Sequence, residues 1–141
     1  MHPSIFFHAE TSFKLAKSKN IAKWIEHSIL SEKKELGEIN FIFCDDDYLL
    51  KMNQTYLQHN TFTDVITFDY VEGKVIAGDI FISIERVKEN AEKENTTFNM
   101  ELSRVMIHGI LHLIGYKDKT AAEAKQIRAK EDFYLTLLSK F

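Results

Sequence analysis

Positions 100 to 118 constrain the fold more than any other stretch. From Met100 to Ile114 the residues are apolar almost all round a helical wheel. That pattern suits a central helix enclosed by its neighbours. Two histidines, His108 and His112, lie four residues apart within it. At 3.6 residues per turn they stack on one face, so both imidazoles can point at one ion. Gly115 follows three residues later and can take the positive φ that ends a helix. The chain can then double back and bring Asp118 toward the same ion. Two nitrogens and one oxygen leave a fourth tetrahedral position open, as catalytic zinc sites do. Water bound there loses its proton more readily and becomes a nucleophile. His108, His112 and Asp118 are therefore the predicted metal ligands, and the residues name no catalytic side chain beyond that water.

Zinc peptidases with this spacing carry Glu directly after the first His, as general base. Here that position is Gly109. Peptide hydrolysis by that route is disfavoured, and another ester substrate is expected.

The run His108-Gly109-Ile110-Leu111-His112-Leu113-Ile114-Gly115-Tyr116-Lys117-Asp118 resembles the signature of the YbeY-type endoribonucleases of bacterial ribosomal RNA maturation. That signature reads His-Gly-x-Leu-His-Leu-x-Gly-Tyr-Asp-His. His108 through Tyr116 match it, while Lys117 replaces its Asp and Asp118 its third His. Asn53-Gln54-Thr55-Tyr56 followed by Thr63-Asp64-Val65-Ile66-Thr67-Phe68 resembles a second family stretch, and Gly78-Asp79-Ile80-Phe81-Ile82-Ser83 a third. The family's Arg after Tyr, which the resemblance assigns to RNA cleavage, is Leu57 here, and its nearby Lys is His59. The resemblance implies a zinc-dependent endoribonuclease of single-stranded ribosomal RNA, with ribosomal subunits as partners and no DNA or membrane. His59 is a candidate for the missing basic function, and Lys117 and Lys119, flanking Asp118, for holding phosphate. A metal-stabilised ribosome-assembly factor without turnover is the alternative that Leu57 and Asp118 favour. A zinc peptidase ranks below both.

A chain of 141 residues fits one domain with room for a sizeable core. The formal net charge of −3 does not advertise nucleic-acid binding, although a local basic patch suffices for it. The one cysteine, Cys44, sits in an apolar run and reads as a buried free thiol, which suits a reducing cytosol. No signal peptide or bilayer-length apolar run is evident, so the expected location is cytoplasmic.

The remaining elements follow in order. Ser4 to His8 reads as an edge strand. A helix is expected from Ser18 to Glu35, capped by Ser18 and ended by Gly37, with Ile21, Trp24, Ile25, Ser28 and Ile29 inward. Its lysines read as a solvated face. Ile39 to Cys44 reads as a strand buried on both faces. Asp45-Asp46-Asp47 caps a helix from Tyr48 to Leu57, with a polar loop from Gln58 to Thr63. Two strands, Asp64 to Tyr70 and Val75 to Ile82, flank a turn at Glu72-Gly73-Lys74. Asp79 interrupts the second strand and needs a partner or a wet cleft. Ser83 caps a helix to Asn95, and Thr120-Ala121-Ala122-Glu123 is a capping box opening a last helix to Ser139. The order predicts an α/β or α+β sandwich. The resemblance specifies a four-stranded mixed sheet with the site between sheet and metal helix.

Overall fold

Strand pairing follows the apolar runs. The computed structural model describes residues 4–56 and 63–141. In chain order they form β1 (Ile5–Ala9), α1 (Ser18–Ser31), β2 (Glu35–Cys44), α2 (Asp46–Tyr56), β3 (Val65–Asp69), β4 (Val75–Ser83), α3 (Ile84–Lys93), α4 (Phe98–Ile114) and α5 (Ala121–Leu137), closed by a 3-10 turn at Leu138–Lys140. The expected four-stranded mixed sheet is present, in the order β1-β2-β4-β3. β1 runs parallel to β2 and β2 to β4, while β3 returns antiparallel to β4. β1 is an edge strand, as its position and brevity predicted. Among the described residues no helix is long and apolar enough to cross a membrane.

The two faces of the sheet are covered unequally. Ile39, Phe41 and Phe43 of β2 and Ile80 and Ile82 of β4 form one buried face, against which α1 and α4 pack. Side chains alternate between faces along a strand, so Asn40 and Ile42 point the other way. That side is covered mainly by α2, which lies on β3 and β4. Asn40 and Ile42 are consequently half-buried, and β2 is not enclosed on both faces as its composition predicted. Asp79 lies on this second face, where Asn40 donates to its carboxylate at 3.1 Å. Its partner is therefore structural, on the side away from α4. Cys44 is a buried free thiol as expected; burial, with Asp45 and Asp46 nearby, pushes its pKa up to about 12.

Helix ends follow local chemistry, with two corrections. Ser18 is the first helical residue of α1 and not its cap, because Lys17 takes the cap position in a left-handed conformation with no side-chain bond. The helix also stops at Ser31, short of Gly37, and Lys33 (φ 62°) makes the turn. Gly37 instead lies in β2, where the register with β4 shifts between Leu36 and Ile39. A Cβ there would meet Val75 Cγ1 at 2.7 Å and the Ile76 carbonyl at 2.9 Å, so close strand approach is what requires glycine. The other caps form as read. Asp45 accepts from the Tyr48 amide at 2.8 Å, Ser83 from Arg86 at 3.2 Å, and Thr120 and Glu123 close the capping box. Thr97, which the sequence reading did not single out, caps α4 and starts it at Phe98, two residues before Met100.

α4 is the central element. Ten of its seventeen residues are buried, so it can hold side chains rigidly against strands and helices together. It touches β3, β4, α1, α3 and α5.

Candidate metal centre

One exposed edge of α4 remains, and it carries the two histidines. The neighbouring position, Gly109, faces the sheet: a Cβ there would come within 3.0 Å of Ile80 Cγ2. The position where a zinc peptidase keeps its base is therefore pressed against β4, with no room for a glutamate. α4 ends at Gly115, whose φ of 126° costs glycine little. The Gly115 and Tyr116 amides both close onto the Leu111 carbonyl, at 3.1 and 3.0 Å. This turn reverses the chain and brings Asp118 back over the helix.

His108 Nε2 and His112 Nε2 are 3.0 Å apart, and an Asp118 carboxylate oxygen lies 3.5 Å from the first and 3.3 Å from the second. A tetrahedral ion with bonds of about 2.0–2.1 Å sets its ligands roughly 3.3 Å apart. The three donors thus already stand at the separations of three corners of such a tetrahedron. Among the described residues they are the group of His, Cys, Asp or Glu side chains able to share one ion. A proton on His112 Nε2 can bridge these atoms as hydrogen bonds, and two imidazoles with a carboxylate are also a donor set that fits a metal ion in its place.

Glu131 of α5 fixes this geometry from behind. Its carboxylate lies 2.6 Å from His108 Nδ1 and accepts from Arg104 at 2.9 Å. Glu131 is only 3% exposed. A proton on Nδ1, assigned from the carboxylate beside it, leaves Nε2 free to ligate. Burial alone would push the His108 pKa down, but the Glu131 carboxylate, with those of Asp118 and Asp64, outweighs it and the value rises. Arg104 also binds Asp132 at 2.7 Å. Despite burial, these two carboxylates keep its pKa raised. Glu101, Arg104, His108 and His112 share one stripe of α4, a spacing that suggests a Glu101–Arg104 pair; instead Arg104 acts through α5 and reaches His108 by way of Glu131. Sequence reading missed Glu131. The available signal was an acid four residues after Ile127 and three before Tyr134, on the inner stripe of α5.

The turn that delivers Asp118 is pinned at its other side. Glu32, just past α1, accepts from Tyr116 at 2.7 Å and Lys130 at 3.1 Å, and from Tyr134. Burial would raise its pKa, but these donors hold it below the ordinary 4.5. A lowered carboxylate value means stability that is present above the ordinary pKa and lost as pH falls through the folded one. Glu32→Gln is expected to lower unfolding free energy by about 2 kcal/mol at pH 7, with the deficit shrinking below pH 4. Urea unfolding of both proteins at the two pH values checks this.

A cavity of about 550 Å³ adjoins two of the three donors, lined by residues that include Asp64, Glu101, Arg104, His108 and Asp118. Sequence reading had not singled out Asp64, whereas Glu101, on the stripe of His108 and His112, reads as able to orient a ligand or as half of an exposed pair with Arg104. Burial raises the pKa of both, although His108 pulls Asp64 back. Lys117 and Lys119 are exposed. Lys117 lines a separate depression with Glu32 and Tyr116, so the cations lining the cavity are Arg104, Lys125 and Arg128. His59 and Leu57 lie outside the described residues.

The sequence model of the family described as Endoribonuclease YbeY matches residues 6–139. Proteins called Endoribonuclease YbeY from Flavobacterium psychrophilum and Flavobacterium johnsoniae are similar to this chain. The first is 54% identical, covering 94% of this chain and 95% of its own. The second is 53% identical, covering 91% and 92%. The solution structure of TM1509 from Thermotoga maritima superposes with a TM-score of 0.69 at 31% identity, covering 95% of this chain and 88% of that one.

Proposed function

The chain belongs to the YbeY endoribonuclease family, and on that premise we propose that it cleaves single-stranded ribosomal RNA during ribosome maturation, using one zinc ion held by His108, His112 and Asp118. As a member of that family it is an endoribonuclease, a hydrolase of RNA phosphodiester bonds. The proposed enzyme acts as one domain, in the cytoplasm, on ribosomal RNA within ribosomal subunits. The buried free thiol of Cys44 suits that reducing compartment.

The observation that carries the metal reading is the convergence of two imidazole nitrogens and one carboxylate oxygen within 4.8 Å. Two imidazoles suit zinc, and the harder Asp118 oxygen makes manganese its nearest competitor. Bound there, such an ion supplies Lewis acidity at a phosphoryl oxygen and activates water. The protein's own residues supply position and charge. Glu131 orients His108, and the Glu32 node seats the turn bearing Asp118. Lys117 and Lys119, exposed on that turn, are assigned in this reading to the phosphate backbone outside the cavity. His59 takes the basic role that Leu57 leaves open in this reading.

The test is metal removal. A single-stranded RNA is incubated with protein stripped by a strong chelator and then reloaded with zinc, manganese or magnesium. Cleavage should vanish on stripping and return with zinc. Cleavage by fully stripped protein would overturn the metal role, and return with magnesium alone would overturn zinc.

A further inference from the structure

Glu101 is 7% exposed, yet its side chain has no hydrogen bond or ion-pair contact with any described residue. Buried carboxylates are normally partnered, because an unpaired one loses its hydration without replacement. Among the described residues no buried side-chain nitrogen or oxygen is both sealed and partnerless. The Glu101 carboxylate therefore opens onto the cavity it lines beside His108. Asp64 lines the same cavity; it accepts from Asn90 at 3.3 Å. Val105 and Ile127 supply apolar wall, and Lys125 and Arg128 of α5 stand at exposed positions on its edge.

This lining selects its occupant. Phosphate is repelled by Glu101 and Asp64. A second metal ion is repelled by Arg104 and Arg128, and Glu101 and Asp64 belong to no three-ligand group among the described residues. A flat, uncharged heterocycle with amino protons satisfies every wall: its faces meet the apolar side chains and its amino group meets the carboxylate. Its phosphates would then stay outside with Lys125 and Arg128. The volume lies within the ordinary range of ligand pockets.

Resting on the RNA reading above, we propose that this cavity receives one base of the RNA strand beside the metal centre, with Glu101 accepting from the base's exocyclic amino group. Cytosine offers such a group at N4, which carboxylates recognise. Uracil offers a carbonyl oxygen at the same place, and that oxygen faces Glu101 unfavourably. The enzyme therefore prefers cytosine to uracil at this position.

The experiment compares short single-stranded oligocytidylate and oligouridylate by fluorescence anisotropy, at one salt concentration, with metal-stripped protein so that the RNA stays intact. The parent should bind oligocytidylate about tenfold more tightly. Glu101→Gln should bring the ratio close to one, because an amide both donates and accepts. Any general change in electrostatic attraction acts on both strands alike and cancels in the ratio. Ala124→Phe, at an exposed position on the cavity wall, narrows the space without entering the core and should remove the same preference. Equal affinities in the parent, or a ratio that survives both substitutions, would overturn the base site. Absence of binding to either strand, by zinc-loaded protein with uncleavable 2′-O-methyl strands as well, would overturn the RNA reading itself, a result distinct from equal binding.

Discussion

His112→Ala is expected to abolish RNA cleavage, by at least about a thousandfold, and to lose the bound metal with it. A thousandfold rate loss corresponds to about 4 kcal/mol of transition-state stabilisation, which is modest for removing the ion that supplies the Lewis acid. His112 is one of three candidate donors among the described residues, and its side chain is 29% exposed at the edge of α4. The substitution therefore opens the site without hollowing the core. Metal content by mass spectrometry and cleavage rate should fall together while the melting temperature of the metal-free proteins stays close. Equal cleavage by parent and variant, purified identically, would mean that the activity belongs to a contaminant and not to this centre.

Glu131 is expected to give the largest stability effect. Glu131→Ala leaves the guanidinium of Arg104 and the Nδ1 of His108 facing an empty buried space. Breaking a buried charge pair from one side costs about 3–5 kcal/mol. Arg104 keeps Asp132, which places the loss toward the lower end. Glu131→Gln keeps the shape and removes the charge, so its main effect should be on the ligand that Glu131 orients. Metal affinity, read by competition with a coloured chelator, should fall by about 10- to 100-fold. A purely structural role for Glu131 predicts instead that Gln lowers stability and leaves metal affinity alone. The same carboxylate raises the His108 pKa above its ordinary 6.5. Protons then compete with metal for Nε2 from a higher pH, and uptake by the parent should weaken as pH falls through that raised value. In Glu131→Gln the onset should move to lower pH.

The site and the fold were legible to different depths. His108, His112, Gly115 and Asp118 lie within eleven consecutive positions, and their meeting is a matter of local geometry: one helical face, one positive φ, one reversed turn. Caps read well for the same reason, since Ser83, Thr120 and Glu123 bond to amides three residues away. Errors arose where distant chain decides. Gly37 looked like a helix stop, but β4, which pairs with β2, requires glycine there. Ile39 to Cys44 looked enclosed because its composition is apolar, but burial of Asn40 and Ile42 depends on where α2 lies.

By itself the sequence determined that His108, His112 and Asp118 can meet, that the peptidase base position holds glycine, and the order of strands and helices, because each rests on residues close in the chain and on fixed backbone periodicities. Only the tertiary structure decided what stands behind and beside those donors. Glu131 comes 23 positions after His108 and Glu32 comes 84 before Tyr116, while Asp64 and Glu101 share one cavity from separate elements. No local rule links such pairs. They meet because α4 must bury its apolar sides against β3, β4, α1, α3 and α5 at once, and that packing carries their charges to the one edge of the helix left open.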